Sequence, residues 1–209
     1  MITKNLFEKS LLGGICLGLC LLGSTLVEFR FLQGLIVSLG FLGAMESGFP
    51  IITEKFGDAR VMTTFMGYPS PNVLIFNLLI KKVFPGNLLG ILLSIVIGRY
   101  VLGISEVEFK IEDSSWWEIF ISSILAGILT NFGTSNYYKK KVKWLVIVSI
   151  TLTTTLNLNH TLIDFGKVLL SEDVRLWILL KLTLISLCGN FIGSRFRTLI
   201  TNDEDEKDN

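Results

Sequence analysis

The chain has 209 residues, half of them hydrophobic, with a net charge of +1 and a mean hydropathy of +0.60. Charged residues make up 18%, against ~25% in an average soluble domain. This excludes a disordered chain and a basic nucleic-acid binder, and it disfavours a water-soluble enzyme. A bilayer-spanning helix needs ~20 mostly apolar residues, so six of them would use ~120, which leaves room for short loops.

Six apolar segments are readable in chain order, at residues 10–27, 31–44, 83–103, 116–132, 144–158 and 174–193, the last extendable to 200. Together they predict a single all-α integral membrane domain over residues 1–200. The first resembles a signal peptide because Lys4 and Lys9 precede it, but five further segments argue that it is retained. Most Lys and Arg residues fall on one side when the N-terminus is inside. That side holds Lys4, Lys9, Lys81, Lys82, the cluster Lys139, Lys140, Lys141 and Lys143, and Arg195 and Arg197. The positive-inside rule then places both termini in the cytoplasm, in an inner or plasma membrane. Trp116, Trp117, Trp144 and Trp177 fall near segment ends, as interfacial tryptophans do. The lysine cluster also suits contact with anionic lipid. Residues 201–209, with Asp203, Glu204, Asp205 and Glu206, read as a disordered acidic tail.

The third and sixth segments share a pattern: Gly86-Asn87-Leu88-Leu89-Gly90 and Gly189-Asn190-Phe191-Ile192-Gly193. Three segments per half put the two halves in opposite orientation, which predicts inverted repeats over about 8–103 and 114–200. The second and fifth segments are both short. They stop at Met45-Glu46-Ser47-Gly48-Phe49-Pro50 and at Asn157-Leu158-Asn159-His160. Paired interruptions in corresponding segments point to a central site, because free backbone groups persist only where they are buried in protein or line a cavity. Between Pro50 and Lys82 the reading is a cytoplasmic-side loop with a short interfacial helix, and residues 61–66 and 73–76 are its apolar pieces.

His160 is the sole histidine. At 1.5 Å per residue it lies ~24 Å along a helix from Trp144, somewhat past the bilayer middle. If the helix continued through the break, Ser149, Thr153, Asn157, His160 and Asp164 would form one polar stripe, enriched by Asn159. An ionisable residue at that depth marks a site by default, and an imidazole suits an anion because it donates a hydrogen bond even when neutral. Cys16, Cys20 and Cys188 lack metal-ligand spacing and read as small core residues. Neither a metal site, a cofactor site nor an enzyme active centre is expected. With one histidine and no intramembrane carboxylate cluster, the chain lacks a nucleophile–base set.

At these residues the chain resembles the formate/nitrite transporter family. The likeness is carried by Ser38-Leu39-Gly40 with Gly43-Ala44, by Pro85 to Gly90, by Ala126-Gly127-Ile128-Leu129-Thr130-Asn131, by Asn159-His160-Thr161 and by Cys188 to Gly193. The resemblance implies an aquaporin-like protomer of six helices with broken second and fifth helices, assembled as a homopentamer. Each protomer would conduct small monovalent anions such as formate, nitrite or hydrosulfide, with or without a proton. It implies that His160 is the central residue and that Asn131 and Asn190 support the pore or its breaks. Thr53 stands nearest the place of the family's loop threonine. The chain departs from the family at Asn159, where a glutamate is usual, and it lacks a Leu-Phe-Thr sequence around residues 46–53. Two alternatives accompany this reading. One is a neutral-solute channel of aquaporin-like architecture, although the paired Asn-Pro-Ala signature is missing. The other is a non-conducting diverged relative.

Overall fold

The computed structural model describes residues 5–55, 79–104, 115–171 and 175–200, and these are helical with no strand among them. The helices are α1 (Leu6–Thr25), α2 (Arg30–Glu46), the single-turn α3 (Ile52–Lys55), α4 (Phe84–Tyr100), α5 (Trp116–Lys140), α6 (Lys143–Thr155), α7 (Thr161–Leu170) and α8 (Leu176–Ile200). A five-residue π turn, Leu79–Val83, leads into α4. Three stretches are long and apolar enough to cross a bilayer: Leu6–Thr25, Leu79–Tyr100 and Leu176–Phe196. They mark the chain as a membrane protein. By contrast, α2 has 17 residues and α6 has 13.

Local chemistry sets the helix ends. Ser115 caps α5 through a reciprocal box: its Oγ accepts from the Glu118 N–H, and the Glu118 carboxylate accepts from the Ser115 N–H. The same helix stops where Lys141 adopts a left-handed conformation, φ 57°. Pro85, which has no N–H to donate, sits where the π turn passes into α4 and the hydrogen-bond pattern changes. Trp116, Trp117, Trp144 and Trp177 all lie at helix starts and are exposed. Leu19, Leu39, Ile97, Ile121, Leu125 and Leu184 also point outward, as side chains facing lipid do.

Close helix pairing rests on small residues. α1 packs along α4, α5 packs along α8, and α2 packs against α6. A Cβ at Gly14 would run into the backbone of Asn87, and one at Gly90 into that of Leu11 and Gly14. The same arrangement recurs later in the chain. A Cβ at Gly127 would meet the backbone of Asn190, and one at Gly193 that of Ile124. Gly86 abuts Ser10, and Gly189 likewise abuts Ser123. Helix backbones come this close only where no side chain intervenes.

The interruptions fall where the sequence places them, but the chain beyond the second one departs from expectation. α2 ends at Glu46, Gly48 turns with φ 71°, and α3 starts after Pro50. α6 ends at Thr155, Asn157 turns with φ 53°, and a separate helix, α7, starts after His160. The stripe from Ser149 to Asp164 therefore does not form, because residues 156–160 leave helical geometry. Asp164 is buried in the first turn of α7. Cys188 is exposed, which corrects its reading as a core residue, while Cys16 and Cys20 are half-buried and face Gly40. The apolar pieces at 61–66 and 73–76 and the acidic tail at 201–209 lie outside the described residues.

Candidate functional site: the two helix breaks

A ten-residue half-helix such as α7 is marginal alone, so its place depends on partners outside it. Asn190 on α8 supplies them. Its Oδ1 accepts from the Thr161 backbone N–H at 3.0 Å and from the Thr161 hydroxyl at 3.0 Å. Its Nδ2 donates to Ser123 O at 2.7 Å and to Asn159 O at 3.1 Å. One amide therefore ties the break to both α5 and α8. Asn87 on α4 makes the matching set: Oδ1 accepts from the Ile52 N–H at 2.9 Å, and Nδ2 donates to Ser10 O at 2.7 Å and Pro50 O at 3.0 Å. Ile51, between Pro50 and Ile52, thus holds the place in the first break that His160 holds in the second.

His160 has an extended backbone, φ −123° and ψ 119°, and its carbonyl accepts from the Asp164 N–H at 2.8 Å to close the first turn of α7. The ring is 0% exposed. Phe41 of α2 presents an edge-on ring, with 6.2 Å between centroids and 81° between planes. Neither imidazole nitrogen has a hydrogen-bond partner among the described residues. A neutral imidazole carries one donor and one acceptor, and buried polar atoms are rarely left unmatched.

The remaining residues singled out in the sequence take varied places. Asn159 is half-buried. Its N–H donates to Ser122 Oγ at 3.0 Å, and its Nδ2 donates to the Asp164 carboxylate at 3.1 Å. Asn157 is exposed and makes the left-handed turn, and its Oδ1 accepts from Lys167 Nζ at 3.2 Å. Thr153 is buried but satisfied within its own helix, donating to Ser149 O at 2.8 Å. Asn131 clamps α5 to α8: its Nδ2 donates to Ser194 O at 2.7 Å, and its Oδ1 accepts from Ser135 Oγ at 2.7 Å. Thr53 is buried in α3, and its hydroxyl has no partner among the described residues.

His160, Asn159 and Asn190 are therefore together at the second break. Thr53 belongs to the first, Asn131 sits between two long helices, and Asn157 lies at the exposed turn. Sequence reasoning passed over Asn87 and Ile51 as site residues. The shared Gly-Asn pattern was the signal for Asn87. No sequence signal pointed to the edge contact of Phe41 on the imidazole. Among the described residues, no three His, Cys, Asp or Glu side chains gather as metal ligands would. No protein-family model matches the chain, and no characterised protein matches it in sequence.

Proposed function

We propose that this chain is a six-span membrane channel or transporter for small monovalent anions, of the formate, nitrite or hydrosulfide class. Its two halves are inverted repeats in an aquaporin-like arrangement, and it assembles as a homopentamer in an inner or plasma membrane with both termini cytoplasmic. The matching contacts of Asn87 and Asn190 support the repeat, since each holds a short helix that starts at a break. The likeness to the formate/nitrite transporter family supports the pentamer and the anion class.

One observation carries the reading: the only histidine is buried at the start of the second half-helix, with both ring nitrogens unmatched by the described residues. A passing anion would accept a hydrogen bond from the neutral ring, or a proton from the ring after it has taken one up from solution and become imidazolium. Protonating a weak acid removes the charge that makes an apolar passage costly. Asn190 would fix the backbone that carries the ring, and Thr53 would offer a hydroxyl from the other break. The experiment is anion uptake into liposomes containing the purified protein, with His160→Ala alongside. Uptake of formate or nitrite that rises with acidity and falls sharply in the variant supports the reading.

Full burial of the ring means that neighbouring side chains must part before an anion reaches it. That same observation favours a second reading, a non-conducting relative in which the imidazole is sealed permanently. The absence of flux for every monovalent anion would establish it. Flux of water or glycerol that is indifferent to His160 would point instead to a neutral-solute channel.

A further inference from the structure

We propose that Arg99 is a positioning residue for His160, acting through the far end of α7. This rests on the reading of His160 as the central residue. α7 is ten residues long and begins directly after the imidazole, so a shift of the helix along its axis moves the ring with it. Asn190 restrains the N-terminal end. At the other end, Arg99, in the last turn of α4, donates from Nη2 to Leu170 O at 3.0 Å and to Ser171 O at 2.7 Å. The last carbonyls of a helix have no partners inside it, and they carry the negative end of its dipole. A guanidinium answers both needs, because it brings a charge and donors in a fixed plane.

The middle of α7 is tied to the same neighbour. Gly166 lies against Leu21 of α1 and against Ile91 and Ile95 of α4, so α7 has no room to roll outward without lifting from α4. The half-helix is thus held at its start by Asn190 of α8, along its length by packing on α1, α4 and α8, and at its far end by Arg99 of α4. Loosening the Arg99 end leaves the last carbonyls of α7 unmatched and only apolar packing to hold that end, while Asn190 still fixes the start.

Because the chain contains one histidine, ring-labelled histidine gives a single imidazole signal by magnetic resonance in lipid nanodiscs. Arg99→Ala is expected to shift or broaden that signal, and Arg99→Lys, which restores the charge, to recover most of it. Arg99→Gln replaces Arg99→Ala should the latter fail to fold. In liposomes, the formate uptake of Arg99→Ala falls about tenfold, with an altered pH profile, and Arg99→Lys regains part of it. An imidazole signal unchanged in Arg99→Ala or Arg99→Gln overturns the proposal, as does a displaced signal with uptake and pH profile intact. If the parent protein moves no anion, the transport reading falls, while the imidazole signal still decides whether Arg99 positions the ring.

Discussion

Replacing Asn190 with alanine should damage this protein far more than its small change in volume suggests. The amide makes four hydrogen bonds in a buried site, and the groups it leaves behind differ in how much they lose. Ser123 O lies within α5 and keeps its helical partner. The Thr161 N–H and Asn159 O lie at the break, where no helix ladder satisfies them. Each buried backbone group left unmatched costs about 1–3 kcal/mol, so two of them give about 2–6 kcal/mol. Transmembrane hydrogen bonds tend to the low end, and we set the expected loss near ~3 kcal/mol. Thr161→Val removes one hydroxyl and leaves the backbone contacts, so it should cost ~1 kcal/mol or less. Thermal unfolding in detergent, with both variants and the double substitution, measures this. An Asn190→Ala variant no less stable than Thr161→Val would refute the claim that the amide holds the break.

The other predictions concern packing and charge. Gly193→Ala places a Cβ against the Ile124 backbone, 3.0 Å from its Cα, so α5 and α8 must part; a loss of about 1–3 kcal/mol is expected by thermal melting. Gly48→Ala has open space and suffers only from its positive φ, about 1 kcal/mol, and an equal effect at both sites would contradict the packing argument. Glu46 accepts from Lys143 at 2.7 Å, and this bond, followed by one involving Tyr137, holds its carboxyl below the ordinary carboxylate range. A lowered carboxyl contributes stability above its unfolded pKa and loses it as pH falls through the folded value. Glu46→Gln should therefore melt slightly below the parent at neutral pH and merge with it in acid. High salt should erase the difference, because the pair is solvent-exposed. A difference that grows in acid would show that the pair does not stabilise the fold through the ionised carboxylate.

Much of the architecture was legible because its causes are local. Apolar length gave the helices, and the Gly-Asn pattern marked where α4 and α8 admit a neighbour. The break after α2 was legible in Gly48 and Pro50, which cannot continue a helix cheaply. The break after α6 was only half legible. Asn157 signals a turn, but nothing in Thr161 to Leu170 distinguishes a new helix from a continuing one, since both share a 3.6-residue period. What separates them is Asn190, which binds the Thr161 N–H from a distance of 29 residues along the chain. That contact requires the tertiary fold. Thr153 was misleading for a similar reason. Its polarity suggested a lining residue, whereas its hydroxyl is spent on the carbonyl one turn back. The clamp of Arg99 on α7 was equally hidden, because a basic residue near a helix end reads as an anchor for the membrane surface.

An anion path past His160 is tested most simply by formate uptake into liposomes, with the parent protein, His160→Ala and His160→Gln compared on the acid and alkaline sides of neutrality. Such a path requires uptake that increases with acidity in the parent and a loss of about tenfold or more in His160→Ala. It also requires a weakened pH response in His160→Gln, which donates a hydrogen bond but cannot carry a proton. Equal uptake by all three proteins, at every pH and for every monovalent anion, would contradict it.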